Sequence, residues 1–208
     1  MKAGSGSARG RPPKPQGGAE MAVLVEAMWT VMAKEGTLEP SIREIVAEAG
    51  LAPKAFYRHF TTKDDLLVLA LNEGSRLLAH YLQRRMARVN SSPEKMGEWI
   101  RGVAGQAATT RAIRRTSPWS LSMGRLERDF PAEVARNQDL VIAPLDEIIR
   151  QEVAAGHSSS SDSKADARVV FAAATDILRR SLLAGTAAAT NEVEHLIEFT
   201  LRGLGLAS

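Results

Sequence analysis

The sequence predicts an all-α protein, with a three-helix helix-turn-helix unit near the N-terminus joined by a long helix to a helical bundle. Three observations carry this expectation. From Met21 onward apolar residues recur at helical spacing, helix-capping patterns precede several of these runs, and no segment alternates with the period of two that a strand needs. With 44% hydrophobic residues in 208, the chain can bury a substantial core.

Residues 1–18 are Gly, Ser, Pro and basic residues without apolar periodicity, and they read as a disordered basic arm. Over residues 1–20, Lys2, Arg9, Arg11 and Lys14 stand against Glu20 alone, a charge of +3 that equals the net charge of the chain and leaves a near-neutral body. The stretch Arg9-Gly10-Arg11-Pro12-Pro13-Lys14 resembles an AT-hook core, so Arg9 and Arg11 are candidates for an A·T-rich minor groove. A solvated tail is the bland alternative.

Residues 19–66 form the expected helix-turn-helix domain. Met21, Leu24, Val25, Met28 and Met32 make an amphipathic stripe that ends at Gly36. Ser41-Ile42-Arg43-Glu44 is a capping box at the start of a second helix whose buried face is Ile42, Ile45, Val46 and Ala49. Gly50 suits a tight turn, and Pro53 suits the first position of a short third helix. Phe56 and Phe60 then face inward, leaving Lys54, Tyr57 and Arg58 outward. Thr62-Lys63-Asp64-Asp65 caps a fourth helix running to about Val89, roughly 40 Å at 1.5 Å per residue.

Residues 67–208 form the expected bundle, with further helices at about 93–110, 112–128, 131–155, 165–188 and 191–204. Pro118 and Pro131 mark expected starts, and residues 156–163 a flexible polar loop.

The stretch Ser41-Ile42-Arg43-Glu44-Ile45-Val46-Ala47-Glu48-Ala49-Gly50-Leu51-Ala52-Pro53-Lys54-Ala55-Phe56-Tyr57-Arg58-His59-Phe60-Thr61-Thr62-Lys63 resembles the DNA-binding domain of the TetR family of regulators, most distinctively in Phe-Tyr-Arg-His-Phe followed by a Lys. The resemblance spans residues 21–66 and implies double-stranded DNA as a partner. Ser41 would cap its helix and bond a phosphate, and Arg43 would reach a phosphate or a guanine edge. Lys54 and Ala55 would face base edges, Ala55 with a methyl for thymine. Tyr57, His59 and Lys63 would lie along the backbone, beside the outward Arg58. Ala52 and Pro53 depart from the family pattern, which often has a capping Ser or Thr and then a polar residue. Each role has a plainer alternative: Tyr57 and His59 packing under the first helix, Arg43 paired with a Glu, Lys63 a surface charge.

The resemblance also implies a homodimer built from the last two helices. These helices are apolar on more than one face, and both faces must be buried, one of them against a second subunit or else both within one large monomer. Phe171, Ile177, Leu178, Leu182, Leu196, Ile197 and Leu201 are the expected contacts. Trp99, Val103, Gln106, Trp119, Met123 and Asp176 are candidates to line a cavity for a small apolar effector, although Met and aromatic residues at this spacing also make ordinary core. Asp176 with Arg179 and Arg180 reads more simply as a helical ion pair.

The chain has no Cys, and its four histidines lack metal-ligand spacing. No nucleophile elbow, phosphate loop or zinc-protease motif occurs, so neither catalysis nor a cofactor or metal is expected. Neither a secretory signal nor a membrane span is expected, and the protein reads as cytoplasmic. The function expected is a ligand-responsive transcriptional repressor on a near-palindromic operator. The alternative is a helical ligand-binding or protein-interaction module without specific DNA binding.

Overall fold

The computed structural model describes residues 17–206, which form ten α-helices and one short 3₁₀ turn with no strand. The expected minor-groove residues Arg9 and Arg11 lie outside the described residues.

Helix α1 (Gly17–Glu35) buries Leu24, Val25, Met28 and Met32, as its stripe predicts. It begins at Gly17, inside the expected arm. The cause is tertiary: Glu20 in its first turn is only 5% exposed and accepts bonds from Arg58 and His59, far along the chain.

Helix α2 (Ile42–Glu48) starts on the predicted capping box, with the Glu44 amide donating to Ser41 Oγ at 3.2 Å and the Ser41 amide to Glu44 at 2.7 Å. Gly50 takes φ 63°, which allows the Leu51 amide to reach the Val46 carbonyl and close the helix end. Helix α3 (Pro53–Tyr57) follows at once. Ala52 makes no side-chain cap there, and Pro53 occupies the first turn, where its missing N–H costs nothing.

Helix α4 (Lys63–Met86) starts on a second capping box, Thr62 with Asp65, and stops about one turn short of the expected Val89. Helix α5 (Ser92–Ala104) runs antiparallel to it after a third capping box, Ser91 with Glu94. The two approach closely because residue 102 is glycine: a methyl there would lie 2.4 Å from Leu82 Cδ2. The ion pair Arg85–Glu98, at 2.7 Å, joins the same pair of helices.

The single helix expected at 112–128 is two, α6 (Thr110–Leu121) and α7 (Met123–Asp129), divided at Ser122. Pro118 lies inside α6 instead of starting a helix; Thr109, which accepts from the Ala112 amide at 3.1 Å, is the true start. Helices α8 (Pro131–Ala154), α9 (Ser163–Ala184) and α10 (Thr190–Gly203) complete the bundle. The polar loop before α9 is more restrained than its composition suggests. Ser158 Oγ and the Ser159 amide both donate to the Leu204 carbonyl, at 2.8 and 3.1 Å, pinning the loop to the end of α10.

Two cores result. One, around Leu82, Trp99, Ile100, Leu145, Ile149 and Ile197, holds α4, α5, α8, α9 and α10 together. The other begins with Leu24, Met28, Ile45, Phe56 and Leu66 but also takes in Leu126 of α7 and Val134 of α8. The four N-terminal helices therefore share their core with the body through α7 and α8 as well as through α4.

Candidate nucleic-acid interface and internal cavity

The N-terminal helices expose a short polar surface. Ser41 and Arg43 at the start of α2 and Lys54 in α3 are exposed, and Tyr57 is 63% exposed with its ring edge-on to Phe56 at 5.3 Å. Phe56, fully buried, anchors α3 from beneath. Arg43 and Lys54 have no ion-pair partner among the described residues, so both side chains are available to an incoming anion.

Four of the predicted contacts, Ala55, Arg58, His59 and Lys63, are placed differently from expectation. Ala55 is 4% exposed and turned into the core, so its methyl is not presented to a base; on a five-residue helix anchored by Phe56, the neighbouring position shares the buried side. Arg58 donates to both oxygens of Glu20, at 2.7 and 2.8 Å, and His59 Nε2 lies 2.8 Å from the same carboxylate. A buried carboxylate must be compensated, and these two side chains do it. Arg58 is nonetheless half exposed, whereas His59 is largely enclosed. Lys63 Nζ lies 2.6 Å from Glu39, a carboxylate that Arg125 of α7 also grips. An anion meeting Lys63 would compete with Glu39.

The His59 hydrogen bond, followed by the charges of Arg58 and His59, holds the Glu20 carboxyl below its usual value of 4.5. The folded pKa is depressed, so the linked stability is present above about pH 4.5 and fades as pH falls through the folded value. Glu20→Gln is therefore expected to destabilise the protein at neutral pH, with the gap to the parent closing in acid. Urea midpoints measured from pH 7 to 3 check this, and a gap that fails to narrow across that range would count against it.

Behind this surface lies a cavity of about 940 Å³ bounded by α1 and α4 to α9. Val103, Gln106, Trp119, Met123 and Asp176 line it, bringing together five of the six residues predicted from sequence. Trp99 does not. It is fully buried, donates Nε1–H to the Val141 carbonyl at 3.2 Å and packs edge-on against Phe171. On one wall the buried Asn137 donates to Asn72 at 2.7 Å and to the Glu133 carbonyl at 2.9 Å. Asp176 is paired with Arg179 and Arg180, as its spacing predicts, and these bonds hold its carboxyl below the usual range. Sequence reasoning missed the arginines. Arg111 and Arg115 of α6 line the cavity, and the Arg115 guanidinium sits 5.5 Å from the ring centre of Trp29 in α1.

The residues expected at a subunit interface divide differently. Ile177, Leu178, Leu182, Leu196 and Ile197 are buried within their own bundle, while Phe171 and Leu178 line the cavity. Leu201 is half-buried against the body core. The outer faces of α9 and α10 instead carry Val169, Leu183 and Phe199, which are 66%, 63% and 61% exposed. Both faces of these helices are apolar, and the bundle takes the richer one for itself.

Among the described residues, no cluster of His, Asp or Glu could hold a metal ion, and no helix is long and apolar enough to cross a membrane.

Residues 24–70 match the family model described as "Bacterial regulatory proteins, tetR family". Solved structures share the fold over nearly the whole chain. A bacterial regulatory protein in the tetR family from Rhodococcus RHA1 is 20% identical, with a TM-score of 0.66 over 91% of this chain and 98% of that one. FadR from Bacillus subtilis, solved in complex with stearoyl-CoA, is 15% identical, with a TM-score of 0.73 over 88% and 98%. RolR, solved with resorcinol, is 16% identical, with a TM-score of 0.68 over 91% and 89%.

Proposed function

We propose that the chain is a transcriptional regulator of the TetR family, which its residues 24–70 match, and that it represses transcription in the cytoplasm as a homodimer on a near-palindromic operator. A small-molecule effector would release it. Residues 19–66 would read DNA, residues 67–208 would bind the effector and the second subunit, and the basic arm at 1–18 would add backbone or minor-groove contacts. The observation that carries the reading is the exposed Arg43, Lys54 and Tyr57 on a helix-turn-helix whose other side is anchored by fully buried Phe56.

In the dimer two copies of α3 would enter successive major grooves about 34–36 Å apart. The outer faces of α9 and α10, with Val169, Leu183 and Phe199, are the surface proposed to meet the second copy. The cavity supports effector control in two ways. Its volume falls within the range of about 300–1,000 Å³ typical of ligand sites, and FadR and RolR, on the same fold, were solved with stearoyl-CoA and resorcinol.

Coupling would run through α7. Met123 and Glu127 line the cavity while Arg125, on the same helix, holds Glu39 beside Lys63. An effector that displaced α7 would disturb the head directly, and a coupling of about 1–3 kcal/mol suffices to release DNA.

Selection of bound sequences from random duplex DNA by the purified protein tests the reading. A palindromic consensus is expected; no preference for any duplex would leave a helical ligand-binding or interaction module in its place. Tyr57→Ala and Lys63→Ala are expected to weaken binding to selected and random duplexes alike. For Lys63→Ala the slope of log affinity against log salt should fall by about one. Retardation assays across a salt series check this, and an unchanged slope would remove Lys63 from the phosphate contacts.

A further inference from the structure

We propose that the effector is an amphipathic anion: an apolar chain or ring ending in a carboxylate or phosphate, whose charged end is read by Arg111 and Arg115. This rests on the cavity being the effector site and narrows the ligand class beyond a small apolar molecule.

The apolar part of the argument is the cavity wall, where Leu71, Leu78, Val103, Val141, Ile142 and Phe171 supply a surface for hydrocarbon. Such a surface gives affinity roughly in proportion to the area covered but does not distinguish one apolar ligand from another. Selectivity must come from the polar groups.

The charged part is unbalanced. Four arginines and two carboxylates line the cavity. Arg168 is spent on Asp139 at 2.9 Å, and Arg179 on Asp176 at 2.7 Å. That leaves Arg111 and Arg115 against a single further carboxylate in the lining, Glu127, and among the described residues none of these three has an ion-pair partner. The surplus is written into the sequence: between Glu98 and Glu127 the chain carries Arg101, Arg111, Arg114, Arg115 and Arg125 and neither Asp nor Glu.

Arg111 and Arg115 lie four residues apart on α6, so they project from one side of the helix. Both are exposed at the cavity's edge, where a guanidinium can stay hydrated until an oxyanion arrives and then offer a planar fork to it. The apolar tail would enter between the helices while the head group stays at the rim.

Arg115 also explains why such a ligand would be felt by the DNA-reading helices. Its guanidinium rests over Trp29, which belongs to α1 and itself lines the cavity. An anion that draws Arg115 toward itself alters a contact between α6 and α1.

The test compares dodecanoate, dodecyl phosphate and dodecanol, all below their aggregation concentrations and without DNA. Calorimetry and the fluorescence of Trp29 and Trp119 report binding to the full-length protein. At least one of the two anions is expected to bind about tenfold or more tightly than the alcohol, the size of effect that hydrogen bonds to a charged group provide. In the double variant Arg111→Gln, Arg115→Gln that advantage should vanish while the alcohol changes little; the single variant Arg115→Lys should keep part of it. Equal affinity for alcohol and anions, absence of binding by both anions, or an anion preference that survives the double variant would each overturn the proposal. DNA binding is scored separately. Loss of any duplex preference with the anion preference intact would sink the operator reading alone, and the reverse result would sink only this inference.

Discussion

Replacing Leu183 and Phe199 together by Asp is expected to give a folded monomer whose affinity for a two-half-site operator falls about 10²- to 10⁴-fold, the range in which linked binding exceeds single-site binding. Both side chains are more than three-fifths exposed in one subunit, so the substitutions leave the subunit's own core untouched. Exposed positions of this kind change stability by about 0.5 kcal/mol or less. At a twofold interface each change appears twice, and four carboxylates would replace apolar surface that a second copy should cover. The matching control is Ile177→Asp with Leu196→Asp, on the same two helices. Those side chains are buried within the bundle, and a carboxylate there has no partner, so this variant should lose its fold instead of its partner. Light scattering, circular dichroism and retardation assays read the three properties. A Leu183/Phe199 variant that remains dimeric would place the interface elsewhere.

That contrast marks what a sequence can say about such helices. Apolar residues on two faces of α9 and α10 announce two burials, but not which face goes where. Ile177 and Leu183 lie on the same helix, and only the position of α5 and α8 decides that the first is core and the second surface. The caps were readable because they are local: Ser41 with Glu44, and Thr62 with Asp65, need nothing beyond three residues of spacing. The turn at Gly50 was readable for the same reason. Glu20 was not, because its partners lie 38 and 39 residues away and nothing local distinguishes it from a solvated first-turn acid. This one contact moved the start of α1 and took His59 and Arg58 partly out of the exposed set. Lys63 was readable as a cation at a helix start, but its hold on Glu39, shared with Arg125, depends on α7, a helix the sequence had merged with α6.

The cavity shows the same division between chemistry and address. Five of the six residues expected there line the cavity, the aromatic Trp119 among them. Trp99 has the same character and a different address, which leads to the second large effect. Trp99→Ala is expected to cost about 3–5 kcal/mol, because it empties a fully buried site between α5 and α8. It also leaves the Val141 carbonyl without the indole donor, at a further cost of about 1 kcal/mol. In a chain of this size such a loss corresponds to a drop of roughly 10 °C or more in the melting temperature. Trp119→Ala removes an equal side chain from a half-buried position between the cavity and the edge of the N-terminal core, and should cost clearly less than Trp99→Ala because part of that side chain has no protein packed against it. Its penalty should appear in effector binding, where one apolar wall of the site has been cut away. Thermal and urea denaturation of the two variants, followed by titration of each with the alkyl anions, separates the roles. If Trp119→Ala destabilises the fold as much as Trp99→Ala, the space beside Trp119 is packed core and α6 does not border a binding site.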